Sequence, residues 1–180
     1  MRKGIFKLEQ AATLITFYKG WGKYQESLSE VVGSLTDEQL AMSAEGHKWT
    51  IGQLIGHMIA NRVWWFQVWM GEGSQDLAHI AHWDPQDVEY VPPRTVAELQ
   101  EGVQVTWEMI EGALGRWTAA NLNDHISPPS ALRLDEEGFF ANGFSREWII
   151  WHVLEHEIHH GGELSLVLGK YGIEGIYGPA

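Results

Sequence analysis

A segment near the carboxyl end of the chain carries histidines at a spacing that suits metal binding. Four of the nine histidines lie close together, at His152, His156, His159 and His160. If the segment is helical, His156 and His160 lie one turn apart and only about 40° apart around the axis, so their imidazoles face the same side. That side also carries the apolar residues Ile149, Val153, Leu164 and Val167. Two imidazoles on such a stripe could bind one metal ion, each through one ring nitrogen, which leaves the other nitrogen for a hydrogen-bond acceptor.

The neighbouring histidines leave a second pairing open. His152 lies one turn before His156 at the edge of the same stripe, so these two residues form a competing pair. His159 lies about 60° around the helix from His156, away from His160, and is expected to face solvent. Ordinary core or surface histidines would also fit the pattern. However, burying two imidazoles without partners is costly, and a shared metal ion is one way to satisfy them.

A third ligand is expected from another helix. One face of a helix around residue 57 would carry His57, Leu54, Asn61, Trp64 and Val68. Because His57 is the best-placed partner for the pair, we predict His57, His156 and His160 as the ligands of a divalent metal ion. Three neutral histidines leave one or more coordination positions open for water or substrate, which is typical of catalytic sites. Zn²⁺ suits this set best, and Ni²⁺ or Fe²⁺ could also occupy it.

Residues 156–160 also match the zinc-protease motif H-E-x-x-H literally. In those enzymes the glutamate acts as general base, and the third ligand generally lies downstream. No histidine follows His160, and Glu163 and Leu166 stand where the extended motif has Gly and His. No predicted sheet offers an edge that could hold an extended peptide. We therefore disfavour a protease and interpret Glu157 as an exposed surface residue, with orientation of a histidine ring or acceptance of a proton as the alternative.

Long helices must position these histidines. The hydrophobic pattern predicts four of them, at about Leu8–Val32, Thr50–Met70, Thr95–Trp117 and Ser145–Lys170, with a short extra turn at Thr36–Ser43. Gly20 and Gly22 are expected to break or soften the first helix. Thr50 and Gln53 fit a capping box that satisfies the first-turn amides of the second helix, and an equivalent pair opens the third. The serine that begins the last helix is a good N-cap.

Two long connections separate these helices, over residues 76–93 and 121–142. They lack a helical pattern, contain several prolines and are long enough to act as lids. Residues 131–134 could pair as a short strand, but there is no set of strands. The connections carry three histidines that we expect to be solvated, His79, His82 and His125. These features predict an all-α fold, a single four-helix-bundle domain over residues 1–180 with long connections between helices 2 and 3 and between helices 3 and 4.

Composition restricts the classes of partner. The formal net charge of −12 disfavours nucleic acid, because a polyanion would be repelled. No apolar run is long enough to span a membrane and no signal peptide is recognisable, so we expect a cytoplasmic protein with no membrane partner. The absence of cysteine excludes disulfides, thiolate metal ligands and a cysteine nucleophile. Ten tryptophans in so small a chain suggest that a second copy covers some apolar surface, as in a homodimer.

Two of these segments resemble the DinB/YfiT-like superfamily. The resemblance rests on His57, followed by Trp64 and Trp65, and on the run His-Glu-Ile-His-His-Gly-Gly-Glu-Leu at 156–164. It implies a four-helix bundle, frequently dimeric, in which three histidines hold a divalent metal ion, and these histidines map onto the three predicted ligands. Members often carry Arg-Gly-Gln after the paired histidines, whereas this chain has Gly-Gly-Glu at 161–163. The difference changes the charge beside the site but not the three ligands.

The resemblance also implies a class of reaction. Characterised members include S-transferases that use low-molecular-weight thiols, so we expect a metal-dependent enzyme of the thiol-dependent S-transferase type that acts on a small molecule. Since the chain has no cysteine, the thiol must arrive as a cosubstrate. Two alternatives stay open, namely a metal-dependent hydrolase that uses bound hydroxide and a bundle that binds a metal or ligand without catalysis. Asn61 could bind a ligand near the metal or be an ordinary buried amide, and no catalytic residue is assigned.

Overall fold

Helices dominate the part of the chain that the structure describes. The computed structural model describes residues 11–44, 46, 48–86, 90–130 and 137–178. The α-helices within them are α1 (Lys19–Ser34), α2 (Asp37–Leu40), α3 (Ile51–Val63), α4 (Val96–Arg116) and α5 (Arg146–Lys170). The 3₁₀ segments are Leu14–Thr16, Gln75–Trp83 and Ala119–Asn121, a π-helical turn over Trp64–Trp69 extends α3, and a short antiparallel ladder pairs β1 (His125–Ile126) with β2 (Phe144–Ser145). The predicted all-α fold is confirmed.

The four long helices form a bundle. Helix α1 packs against α4, and α3 contacts both α4 and α5. Each long helix contributes fully buried apolar side chains to the core, among them Leu28, Leu54, Ile110 and Ile149. Long connections join α3 to α4 and α4 to α5, as predicted. Within the described residues, no helix combines the length and the apolar composition that crossing a bilayer requires.

Three of the long helices begin where the sequence predicts caps. The Thr50 side chain accepts a hydrogen bond from the Gln53 amide at 3.2 Å, and the Gln53 side chain accepts one from the Thr50 amide at 2.9 Å. Thr95 and Glu98 make the same reciprocal pair at the start of α4, and the Ser145 side chain caps α5. Local capping chemistry therefore sets the first residues of α3, α4 and α5.

The start of the first long helix differs from the prediction of about Leu8. The residues before 11 lie outside the described part of the chain, and no α-helix forms over residues 11–18. There the Leu14 amide donates a hydrogen bond to the Trp117 carbonyl at 2.7 Å. Because this backbone pairs with the segment that leaves α4, α1 begins only at Lys19. The two early glycines of α1, at positions 20 and 22, lie inside the helix and do not interrupt it.

The connection between α3 and α4 is more ordered than the predicted loop over residues 76–93. The segment Gln75–Trp83 forms a 3₁₀ helix that packs against α3 and buries Ile80 and Trp83. A Cβ atom at position 102 would lie 2.7 Å from the Trp83 ring, so Gly102 of α4 makes room for that ring. Burial of these apolar side chains orders the segment and leads the chain to Asp84, beside the histidines.

The connection between α4 and α5 returns to the start of α5. The strand considered at residues 131–134 lies outside the described residues, and the ladder of β1 and β2 instead joins the two ends of the connection. Beside this ladder the Arg146 amide donates to the Asp124 carbonyl at 2.9 Å, and the Arg146 guanidinium stacks 4.5 Å over the Trp117 ring. These contacts anchor the first turn of the helix that carries two of the predicted ligands.

A buried ion pair joins α3 to α5. Arg62 and Glu157 are both 0 % exposed, and Arg62 Nε donates to Glu157 Oε1 at 2.5 Å. The other carboxylate oxygen of Glu157 accepts a hydrogen bond from Trp21 Nε1 at 2.8 Å. The interpretation of Glu157 as an exposed surface residue is therefore wrong. Its two carboxylate oxygens bind Arg62 and Trp21 instead of orienting a histidine ring.

The same arginine connects the other two long helices. Arg62 Nη2 donates to Gln25 Oε1 on α1 at 2.6 Å. Its Nη1 donates to the Val103 carbonyl at 3.0 Å and to the Thr106 hydroxyl at 3.2 Å, both on α4. Together with Glu157, these bonds tie all four long helices at one point in the core. Because a rotated α5 would leave buried charges without partners, the network fixes which side of α5 faces α3.

We expect Glu157→Gln to lower the free energy of unfolding by about 3–5 kcal/mol, because it leaves the Arg62 guanidinium buried without a counter-charge. Urea denaturation at neutral pH measures this loss. Glu155→Gln is the matched control, since Glu155 lies on the exposed side of α5 and its change should stay within about 0.5 kcal/mol. Equal stability of the two variants would contradict the structural role given to the ion pair.

Candidate metal centre

Three histidines from two helices converge between α3 and α5. The ring centroids of His57, His156 and His160 lie 4.4–4.8 Å from one another. The Nε2 atoms of His57 and His156 are 2.9 Å apart, and one ring nitrogen from each of the three residues lies within 4.8 Å of the others. A single cation could therefore contact all three imidazoles. These are the three residues that the sequence predicts as ligands.

Asp84 holds the ring of His57 from behind. Its Oδ2 lies 2.8 Å from His57 Nδ1, and its Oδ1 accepts a hydrogen bond from the Gln86 amide at 2.8 Å. A proton on Nδ1 would be donated to this carboxylate and would leave the Nε2 lone pair directed at the other histidines. The sequence carries no signal for this role, because Asp84 reaches His57 only through the packing of the 3₁₀ segment that precedes it.

Glu163 holds the ring of His160 in a similar way. Its Oε2 lies 2.6 Å from His160 Nδ1, and its Oε1 lies 3.3 Å from His159 Nε2. These three residues form a second group whose ligand atoms lie within 4.8 Å of one another. The His159 side chain is 61 % exposed, in agreement with its predicted outward direction. The buried group around His57 is therefore the stronger candidate for a metal site.

The electrostatics of the centre favour a cation. Burial, reinforced by the His160 and His57 rings, lowers the pKa of His156 to about 2. Burial also lowers the pKa of His160, although Glu163 acts in the opposite direction. A neutral imidazole keeps a lone pair on one ring nitrogen, which is the form that binds metals. Neutral nitrogen donors with the carboxylates of Asp84 and Glu163 beside them suit a divalent cation.

A cavity of about 700 Å³ opens beside the three histidines. Rings form much of its wall, from Trp64, Trp65, Phe140 and His152. Asn61 also lines the cavity, and its Oδ1 is buried without a hydrogen-bond partner among the described residues. The cavity gives a small molecule access to the imidazoles, and the Asn61 amide oxygen can accept a hydrogen bond from it.

His152 lines this cavity without joining the three-histidine group. Its ring stacks on Trp148, with centroids 4.8 Å apart and an angle of 12° between the planes. The ring centroids of His152 and His156, the competing pair, are 6.1 Å apart. Those of His156 and His160 are only 4.4 Å apart. The histidines of the two connections are exposed, as predicted, and are not among the described residues that line the cavity. They are His79, His82 and His125.

The chain is similar to known proteins over most of its length. The family model of the DinB superfamily matches residues 23–164. The structure is similar to that of a DinB-like protein from Bacillus cereus, with a TM-score of 0.64 and 19 % sequence identity over 91 % of this chain and 95 % of that chain. At this identity the likeness shows the fold alone. No curated protein matches the chain at a significant level.

Proposed function

This chain belongs to the DinB superfamily, and on that premise we propose that it is a metal-dependent enzyme of the thiol-dependent S-transferase type that acts on a small molecule. His57, His156 and His160 hold its divalent metal ion. The observation that carries the proposal is the convergence of these three imidazoles at the edge of an open cavity. The ion is Zn²⁺, the ordinary occupant of an all-nitrogen histidine set, while Ni²⁺ or Fe²⁺ also suit such ligands.

The side chains around the site support chemistry on an external thiol. A metal bound there would supply Lewis acidity that lowers the pKa of a coordinated thiol or water. The cavity of about 700 Å³ is large enough for a thiol cosubstrate and a small electrophile together. Trp64 and Trp65 supply apolar surface to its wall, and Asn61 orients a substrate through its amide oxygen. The protein acts in the cytoplasm, where small thiols are kept reduced.

We expect about one divalent metal ion per chain in untagged protein that has never been exposed to a nickel column. Mass spectrometry of the metal content measures this ratio. His57→Ala should lose the metal, because it removes one of the three donors. His152→Ala is the matched control and should keep it, since His152 lines the same cavity outside the three-histidine group.

Asp84→Asn should weaken metal binding without abolishing it. The variant keeps all three imidazoles but weakens the acceptor at His57 Nδ1, so metal affinity should fall by roughly 10–100-fold. Absence of metal from the unmodified protein, even after incubation with Zn²⁺, would contradict the metal site and the enzyme proposed on it. Equal metal content in His57→Ala and His152→Ala would contradict the assignment of ligands.

We expect metal-dependent conjugation when the protein is mixed with cysteine as the thiol and 1-chloro-2,4-dinitrobenzene as the electrophile. The thiolate sulfur forms a bond to the ring carbon and chloride leaves, which the absorbance of the product reports. His57→Ala should reduce the rate to that of the uncatalysed reaction. Turnover of 4-nitrophenyl acetate without a thiol would favour the hydrolase instead. Stoichiometric metal with neither activity would favour the non-catalytic binding bundle.

An exposed apolar face of α5 supports a homodimer. Trp151, Ile158 and Leu166 are 60 %, 49 % and 66 % exposed and lie within about 80° of one another around the helix. Trp151 and Ile158 lie about 140–180° from the two histidines and Leu166 about 80–120°, so a second copy could cover this face without closing the cavity. A contiguous exposed apolar patch of this kind often marks a protein–protein interface.

We expect Trp151→Glu to convert a dimer into a monomer, because it places a charge in the apolar face. Size-exclusion chromatography with light scattering measures the mass. Phe17→Glu is the matched control, since Phe17 is equally exposed but lies before α1, and its variant should remain dimeric. A monomeric unmodified protein at micromolar concentration would contradict the homodimer.

A further inference from the structure

A second cavity, of about 480 Å³, lies near the first turns of α3 and shares no described lining residue with the cavity beside the histidines. It is bounded by α2, by the start of α3 and by described residues between 83 and 94, and is here named the Arg94 cleft. Rings form part of its wall, from Trp49, Trp83, Tyr90, Pro85, Pro92 and Pro93. A cavity of this size with such walls suits one small molecule with an apolar or aromatic body.

Arg94 is held in this cleft with part of its guanidinium unengaged. The guanidinium lies 4.2 Å over the Trp83 ring, and Nη1 is 3.5 Å from the Glu98 carboxylate. Its Nε is buried and has no hydrogen-bond partner among the described residues. A buried N–H of a permanent cation is costly to leave unpaired. The Arg94 side chain is 23 % exposed, and the accessible part of its guanidinium can donate hydrogen bonds to a carboxylate, so Arg94 favours such an anion.

The charges around the cleft also favour an anion. Lys48 lies exposed at its rim, and Asp37 is the sole carboxylate among the described lining residues. Asp37 Oδ1 already accepts a hydrogen bond from the Val96 amide at 2.8 Å. The described lining therefore carries two cationic side chains and one carboxylate, in a chain whose formal net charge is −12. The described lining of the histidine cavity, in contrast, includes no lysine or arginine.

We propose that the Arg94 cleft is a binding site for a small molecule that joins a carboxylate to an apolar or aromatic body. The carboxylate binds the accessible part of the Arg94 guanidinium, and the body lies against Trp49 and Trp83. The site is additional to the proposed metal centre and does not depend on it. The two sites are neighbours all the same, because the Trp49 ring lies 4.9 Å from the His57 ring.

Calorimetric titration with indole-3-acetate and with its neutral amide, indole-3-acetamide, tests this site in the full chain. We expect the carboxylate to bind roughly tenfold more tightly than the amide, because only the carboxylate can pair with the guanidinium. Arg94→Gln should abolish that preference. Arg116→Gln is the matched control and should keep it, since Arg116 ends α4 at the far end from Arg94 and is largely exposed.

A site-resolved readout and a metal control complete the experiment. The indole N–H resonances of Trp49 and Trp83 should shift on titration, whereas shifts confined to Trp65 would place the ligand in the histidine cavity and overturn the proposal. The result should be the same after metal is removed by chelation and exhaustive dialysis, which separates this site from a carboxylate bound at the metal. Should Arg94→Gln fail to fold, Lys48→Gln at the exposed rim should still weaken carboxylate binding by about two- to fivefold.

Three other results would also overturn the proposal. These are equal affinities for the carboxylate and the amide, a preference that survives in Arg94→Gln, and no binding of either compound at millimolar concentration.

Discussion

The buried pair of Arg62 and Glu157 is the constraint on which the geometry of the histidine centre depends. Moving two charges out of water costs several kcal/mol for each ion, and only a complete set of partners offsets that cost. Here the partners are Trp21 and Gln25 on α1 and the Val103 carbonyl on α4, so one arrangement of the helices satisfies both charges. Because Glu157 follows His156 directly on α5, the rotation that buries the carboxylate against Arg62 also directs the histidines towards α3.

The pair of Arg62 and Glu157 also distinguishes this site from that of the zinc proteases, with which it shares the H-E-x-x-H motif. Both histidines of the H-E-x-x-H match, His156 and His160, face His57. In a zinc protease the glutamate between them must reach a water molecule at the metal. Here that glutamate is fully buried, and both of its carboxylate oxygens are bound to other groups in the core. The two kinds of site share the histidine spacing because each needs two histidines one helical turn apart. They differ in the direction of the glutamate between those histidines.

What could be predicted from the sequence is what depends on nearby residues. Capping boxes mark the first residues of α3 and α4, and the four-residue spacing of His156 and His160 places them on one side of α5. The remaining features depend on residues distant in sequence. Asp84 lies 27 positions from His57, and Glu157 lies 95 positions from Arg62, so no local pattern reveals either partner. The late start of α1 likewise depends on pairing with the segment after α4.

One connection serves both cavities. Residues 75–86 supply Asp84 and Gln86 to the histidine cavity, and Trp83 and Pro85 to the Arg94 cleft. The ion-pair network, in contrast, lies entirely on the long helices. The walls of the two cavities therefore share one connection, while the contacts that orient the long helices lie outside it. A substitution within residues 75–86 can therefore alter the walls of both cavities at once without removing any partner of the buried ion pair.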